Sequence, residues 1–345
     1  MIDHPEKFEN EDQLDDFLSS PGDELIDMIG KTDGDIIILG ITGKIGPSLA
    51  LMAARACEKA GVKKKILGVS RHIDAQVQRS LDQAGIESVR GDLLDNEFLK
   101  RLPLFRNVFY LAGMKFGTGI NPSLTWAINT YLPGMVAGHF RNSRIVAFST
   151  GCVYPLVSLS SGGSVESDNL CAMGEYAQSC IGRERLFEYG SNAFGTNSIL
   201  LRLNYSVEMR YGVLTDIALK VKNNIPVDLS MGYFNVIWQG DMNDFVLRSL
   251  ARCSCPAAIL NITGPETLSV RETAAQFGEY FGVTPVFINE EAPTALLSNA
   301  AESFRHFGAP KVKAGQIIKW TAEWLKGNGR LLGKPTHFEV RNGIY

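Results

Sequence analysis

No stretch of this sequence approaches the roughly 20 apolar residues that a membrane-spanning helix needs. The opening residues are acidic (Asp3, Glu6, Glu9, Glu11, Asp12) where a secretory leader is basic and then apolar. A soluble, cytoplasmic protein without a membrane partner is expected. Charge of one sign is missing too: 34 Lys and Arg stand against 37 Asp and Glu, a net of −3, which leaves no field to gather nucleic acid. Cysteine is sparse, at 6 in 345 residues, and sits mostly in apolar or helical contexts, so reduced thiols are expected and not a disulfide framework. Cys253-Ser254-Cys255 lacks the second Cys/His pair of a zinc site, and no metal is expected. Internal repeats and low-complexity segments are absent.

What is present is alternation. With 45% hydrophobic residues the chain can bury a core, and its length favours a large domain with a smaller lobe appended. Residues 10–30 set Leu14, Phe17, Leu18, Leu25, Ile26 and Ile29 among acids, as one or two amphipathic helices broken near Ser20-Pro21-Gly22 would. Strands are expected at 36–39, 65–69, 87–90, 107–111, 144–148 and 198–201. Helices are expected between them at 44–60, 74–84, 95–101, 121–141 and 173–191, with Pro133 as a kink or break in the fourth. Strand following helix in this way predicts an α/β fold, a doubly wound parallel sheet of Rossmann type. After about residue 205 the rhythm loosens. Short strands at 227–229, 236–238 and 259–262 and helices at 240–252, 269–281 and 313–326 predict a smaller mixed α/β C-terminal substrate lobe, with a cleft between the two. Ser269, with Glu272 three residues on, reads as a helix N-cap.

The turn Gly40-Ile41-Thr42-Gly43-Lys44-Ile45-Gly46 lies between an aliphatic strand and a helix. Glycines there let backbone approach a pyrophosphate, and the helix N-terminus favours the negative charge, so a dinucleotide is implied. The second strand ends in Val69-Ser70-Arg71-His72, without the acid that would bind a free ribose 2′-hydroxyl. Arg71 suits a 2′-phosphate, which favours NADP over NAD; the other reading is a surface arginine.

Taken with further motifs, residues 34 to about 326 resemble the extended short-chain dehydrogenase/reductase superfamily, in its NAD(P)-dependent epimerase/dehydratase group. Gly91-Asp92-Leu93 looks like the family's adenine-contacting aspartate. Leu111-Ala112-Gly113-Met114-Lys115 is similar to a stretch whose lysine reaches the cofactor phosphates, and Asn129 matches a helix asparagine that supports the active site. The strand end Phe148-Ser149-Thr150-Gly151-Cys152-Val153-Tyr154 resembles the one whose hydroxyl polarises the reacting oxygen. Thr150 takes that role, with Ser149 beside it. Tyr176, 26 positions after Thr150, resembles the family's acid/base tyrosine.

These residue types suit hydride transfer. A hydride leaves carbon only as the attached oxygen loses its proton, so a phenol serves as base in oxidation and acid in reduction, and a second hydroxyl steadies the developing oxyanion.

The departure is Cys180. The family's Tyr-x-x-x-Lys reads Tyr176-Ala177-Gln178-Ser179-Cys180 here, and a thiol brings neither the lysine's donors nor its charge. Three explanations compete: another cation (Arg183, Arg185 or Lys115) has moved in, the thiol itself reacts, or catalysis has been lost. Gly151 and Cys152 stand where the dehydratase branch carries Asp-Glu, which argues against dehydration. The resemblance puts Lys115, Cys152, Asn204, Tyr205 and Arg210 on the substrate side, although Ser206 to Met209 depart from the family pattern.

The chain is thus expected to comprise a helical extension (1–33), a NAD(P)-binding Rossmann domain (34–204), a substrate lobe (205–330) with some crossing back into the core, and a tail (331–345). Its expected activity is that of an oxidoreductase or epimerase, working by reversible hydride transfer at a secondary alcohol or ketone of a sugar, sugar acid or nucleotide sugar. The alternative is a catalytically inactive NAD(P)-binding sensor or scaffold. Family habit implies a homodimer through the 121–141 and 173–191 helices.

Overall fold

The computed structural model describes residues 4–344. Seven parallel strands form the central sheet: β1 Ile36–Leu39, β2 Ile66–Ser70, β3 Glu87–Arg90, β4 Asn107–Tyr110, β5 Arg144–Thr150, β6 Ser198–Leu203 and β7 Ala258–Ile262. Their spatial order is β7-β6-β5-β4-β1-β2-β3. Every pairing is parallel, as the connecting helices require. The order reverses between β1 and β4, so a crevice opens there at the carboxyl ends of the strands, where ligands of such sheets bind. β1 is buried at all four positions, the continuous apolar run of a strand covered on both faces.

Helices α1 Glu11–Leu18 and α2 Asp23–Lys31 precede the sheet, capped by Asn10 and begun after Gly22 respectively. The others that frame the site are α3 Gly46–Lys59, α4 Ala75–Gln83 and α5 Asn96–Arg101, the last two capped by Asp74 and Asp95. The expected helix over 121–141 is three pieces: α6 Pro122–Trp126, a π-helical turn Ala127–Tyr131, and α7 Leu132–His139. The π turn sits immediately N-terminal to Pro133, whose ring and missing N–H disturb the ordinary helical ladder. α8 Gly174–Phe194 follows β5 and ends at Gly195 in the left-handed conformation (φ 73°).

The second lobe gathers α9 Val213–Lys222, α11 Val270–Phe281 and α13 Ala314–Lys326 around a separate cluster that includes Trp238, Trp320, Phe234 and Phe277. Ser269 caps α11, accepting from the Glu272 amide at 3.2 Å. Two elements from within 205–330 pack with the main sheet: residues 258–262 return as its seventh strand, and α10 Gln239–Arg248 packs back on α3. Among the described residues no helix is long and apolar enough to cross a membrane, and no cluster of His, Cys, Asp and Glu could hold a metal ion.

Candidate active site

Backbone crowding at the glycine turn is what makes the site. A Cβ on Gly40, at φ 95°, would stand 2.8 Å from the Ala112 amide nitrogen, and one on Gly46 would run into the Ile41 carbonyl. Both glycines are therefore required for β1 to turn this tightly into α3. The turn floors a cavity of about 230 Å³, whose wall includes Gly40, Thr42, Gly43, Ser70, Arg71, Asp92, Leu93, Leu111, Ala112 and Gly113. A glycine turn at a helix N-terminus and a slot between apolar walls suit a dinucleotide's phosphates and adenine.

Polar groups line the slot. Thr42 and Ser70 share a hydroxyl hydrogen bond of 2.5 Å. Asp92 uses Oδ1 to accept from the Leu94 amide, at 3.0 Å. Arg71 is exposed at the rim, its carbonyl held by Arg90 Nε at 3.0 Å. Two of the residues expected at the cofactor face elsewhere. Ile45 packs into the core beneath the turn, and Lys44 reaches across to the second lobe, donating to the Ser206 carbonyl at 2.7 Å with its ammonium 3.9 Å from the centre of the Tyr211 ring. Burial drops the Lys44 pKa to about 7, against the opposing pull of Glu208.

Strand alternation separates Ser149 from Thr150. Ser149 donates to Glu184, which is in turn paired with Arg202 at 2.8 Å, both ions buried. Ser149, expected among the catalytic residues beside Thr150, instead has its hydroxyl committed to this buried ion pair. Thr150 points the other way, accepts from the Cys152 amide at 3.2 Å and is hydrogen-bonded to the Tyr176 phenol. The 26-position spacing thus brings two hydroxyls together from a strand end and the following helix.

Cys180 lies one helical turn beyond Tyr176, fully buried and hydrogen-bonded to its phenol. Burial pushes the thiol up to about 11, which keeps it protonated and removes the thiolate that thiol chemistry needs. Burial also raises the Tyr176 phenol well above its usual range, helped by the Cys180 and Cys152 thiols and opposed by Arg183 and the Thr150 hydrogen bond.

Arg183 follows Cys180 by three positions, on the same helix face, and helical side chains lean toward the N-terminus. Its guanidinium donates to the Phe148 carbonyl at 2.9 Å and to Asn129 Oδ1 at 2.8 Å, 5.7 Å from the centre of the Tyr110 ring. A Cβ on Gly113 would lie 2.7 Å from Arg183 Nη2, so the cation sits directly behind the cavity wall. Asn129, carried by the π turn, holds this arrangement. It accepts from the Met114 amide and donates to the Met114 carbonyl, both at 2.8 Å, and donates to Ser179 Oγ at 3.0 Å. Arg185 points away, paired with Glu188 at 2.6 Å.

On the substrate side, Lys115 donates to the Thr336 carbonyl at 3.3 Å, and burial lowers its pKa against the pull of Cys152, Asp216 and Cys180. Tyr205 is held in the left-handed region (φ 46°), 6.0 Å from the Lys115 ammonium at its ring centre. Asn204 is buried and donates to Asn235 Oδ1 at 2.7 Å, a packing role. Arg210 is enclosed by carboxylates, Glu208 at 3.1 Å, Asp15 at 2.6 Å and Glu11 at 3.3 Å, which leaves it little charge to offer a substrate. A second cavity of about 580 Å³ adjoins the glycine turn, lined among others by Lys44, Lys115, Arg210, Arg330 and Lys334.

Several site residues lie outside the sequence expectation. Asp216 and Thr336 come from a helix and a tail whose roles no motif marks. Glu11 and Asp15 come from the extension, where acidic helix residues read as solvated.

No family model matches the chain, and no curated protein matches it. Solved structures do. Pal from Bacillus thuringiensis superposes with a TM-score of 0.72 at 17% identity, over 85% of this chain and 99% of its own. A Thermus thermophilus UDP-glucose 4-epimerase complexed with NAD gives 0.69 at 19% identity, over 85% and 99%. A Bacillus cereus UDP-glucuronic acid 4-epimerase, in complex with UDP-glucuronic acid and NAD, gives 0.69 at 14%, over 85% and 99%. What this chain shares with these proteins is their fold.

Proposed function

We propose that this protein is an NAD(P)-dependent oxidoreductase or epimerase of the extended short-chain dehydrogenase/reductase type, acting by reversible hydride transfer at a secondary alcohol or ketone of a sugar or sugar derivative. One observation carries the reading: the Thr150–Tyr176 hydroxyl pair at the carboxyl edge of the sheet, with the Arg183 guanidinium behind the wall of the glycine-turn cavity. The glycine cradle fits a dinucleotide, with the Gly40–Gly46 turn at the phosphates and Asp92, Leu93 and Ser70 around the adenosine. When bound, the nicotinamide supplies the hydride acceptor or donor.

The chain's own residues handle the proton. Tyr176 gives its phenolic proton to a substrate carbonyl oxygen in reduction and takes the alcohol proton in oxidation, while Thr150 donates a hydrogen bond to the same oxygen. A phenol raised by burial is protonated at neutral pH, which favours the reducing direction unless nearby positive charge lowers it. Arg183, whose guanidinium lies behind Gly113 and opposes the rise of the phenol, is the cation we propose for that role. This reading favours the first of the three explanations for Cys180.

NADP is the proposed cofactor, on the absence of an acid after β2 and the presence of Arg71; the two 4-epimerase structures named above carry NAD. A homodimer through α6–α8 is proposed as well, since Trp126, Tyr131 and Tyr189 are exposed on those helices. The competing reading, a binding protein without turnover, draws on the raised Tyr176 phenol and the lack of an ammonium at position 180.

Calorimetric titration with NADP and NAD in both redox states comes first, followed by a screen of sugars and sugar acids monitored by nicotinamide absorbance. Tyr176→Phe is expected to keep cofactor binding and lose turnover. Unchanged turnover would refute the assignment. Binding without redox change across the panel would favour the inactive reading.

A further inference from the structure

Beside the dinucleotide slot lies the larger second cavity, of about 580 Å³, and the two meet at the glycine turn, where Thr42, Gly43 and Gly113 line both. The first cavity continues past the ends of β2 and β3, along Ser70, Arg71 and Asp92. The second is walled by Lys44 and Lys115, by Tyr211 of the second lobe, and by Arg330 and Lys334 after α13. Its acids are occupied within the protein. Glu208, Asp15 and Glu11 enclose Arg210, Glu11 also pairs with Arg330 at 3.2 Å, and Asp74 spends Oδ1 on the Gln76 and Val77 amides of α4, at 3.0 and 2.9 Å.

The lysines are placed differently. Lys44 holds a carbonyl and an aromatic ring, and no carboxylate among the described residues pairs with Lys44 or Lys334. Burial brings Lys44 down to about 7 against the pull of Glu208, with the like charges of Lys115 and Arg210 pushing the same way as burial. Ammonium groups gathered in a partly buried cavity repel one another and lose hydration, and an oxyanion between them relieves both costs. Lys115 also joins the cavity to the reacting groups: it is in electrostatic reach of Cys152, the thiol that acts in turn on Tyr176.

We propose that the second cavity is an oxyanion site that seats the charged group of an anionic monosaccharide, the carboxylate of a sugar acid or the phosphate of a sugar phosphate, while the dinucleotide occupies the first cavity. The proposal rests on the reading of that first cavity as the cofactor's. Lys44 and Lys115 hold the oxyanion from within and Lys334 from the rim, and the sugar carbons extend past Lys115 toward Thr150 and Tyr176. An uncharged sugar leaves the lysines without a counter-charge.

The test titrates glucuronate, glucose 6-phosphate and uncharged glucose into the full chain, both cofactor-free and saturated with cofactor. Saturable binding of glucuronate or glucose 6-phosphate to the cofactor-saturated protein is expected, about tenfold or more tighter than glucose. The tighter of the two identifies the source of the oxyanion. Lys44→Met is expected to weaken that binding by about tenfold or more, and Lys334→Gln, at an exposed position where folding is not at stake, to weaken it as well. The proposal is overturned if neither anion binds, if glucose binds as tightly, or if both variants bind the anion with unchanged affinity. Release of bound cofactor by the anion also overturns it, since the cavity is then the cofactor's own. Should no dinucleotide bind, the cofactor reading falls, and the same titrations of the cofactor-free protein and its variants still decide this one.

Discussion

Cys180 and Arg183 exchange volume for charge. A lysine at 180 would carry an ammonium one turn beyond Tyr176; here a buried thiol stands at 180, and Arg183 brings its guanidinium behind Gly113, donating to the Phe148 carbonyl and Asn129 Oδ1. As the proposed base, Tyr176 would act only above its pKa, so a raised phenol is expected to put the rise of alcohol oxidation at alkaline pH, with ketone reduction falling off over the same range. Arg183→Leu is expected to move that limb further up in pH, and Cys180→Lys in the same chain to bring it back below the wild-type position; initial rates across the alkaline range decide. Lys44 offers a second test. Its pKa near 7 leaves it about half protonated at neutral pH, and an anion bound at the turn favours the charged form. Cofactor binding is therefore expected to take up protons near pH 7, seen as a binding enthalpy that changes with the buffer's ionisation enthalpy. The hydroxyl pair and the cavity glycines were legible in the sequence because they sit at fixed offsets in one strand and one helix. Ser149's turn toward Glu184 and the enclosure of Arg210 were not, since both depend on residues 35 and nearly 200 positions away.

Among the elements, those of the main sheet were readable, and several in the stretch after it were not. β1 to β6 and helices α3, α5, α8, α11 and α13 fall within a few residues of their expected spans, because each repeats its apolar pattern often enough to show a period. Two-residue strands such as Ser206–Val207 and Tyr233–Phe234 have no period to read, and α9 and the short helix Ala301–Phe307 lie where the pattern loosens. The π turn was signalled by Pro133 only as a break. Its effect is to set Asn129 where one side chain holds Met114 and Arg183 together. At the start of α3, Gly46→Ala forces a methyl into the Ile41 carbonyl, and overpacking of that kind costs about 1–3 kcal/mol. Denaturant unfolding is expected to register that loss, and cofactor titration a weakening or loss of binding.

The extension ties the two halves of the molecule together. α1 buries Leu14 and Leu18 in the second lobe's cluster with Trp238 and Trp320, while α2 buries Leu25 and Ile29 against the helices of the main sheet. Leu18→Ala is expected to destabilise by about 2–5 kcal/mol. Tryptophan fluorescence, reporting chiefly the second lobe, and far-ultraviolet circular dichroism, reporting both, should shift together if the halves unfold as one; separate transitions would show that the tie is weak. For the proposed dimer, Tyr189→Glu places a charge on an exposed helix position and is expected to yield monomers by light scattering. The aromatic seat of the extension is closed by the far end of the chain: Phe8 and Phe17 meet Trp320 edge-on, with ring centroids 5.0 and 5.5 Å away, and the Trp320 indole donates to the Pro5 carbonyl at 2.8 Å. On the ribosome, α1 emerges some 300 residues ahead of this partner and must wait for it roughly 15–60 s at ordinary synthesis rates. Throughout that interval Leu14, Phe17 and Leu18 form an uncovered apolar face, a natural hold point for a chaperone on the nascent chain.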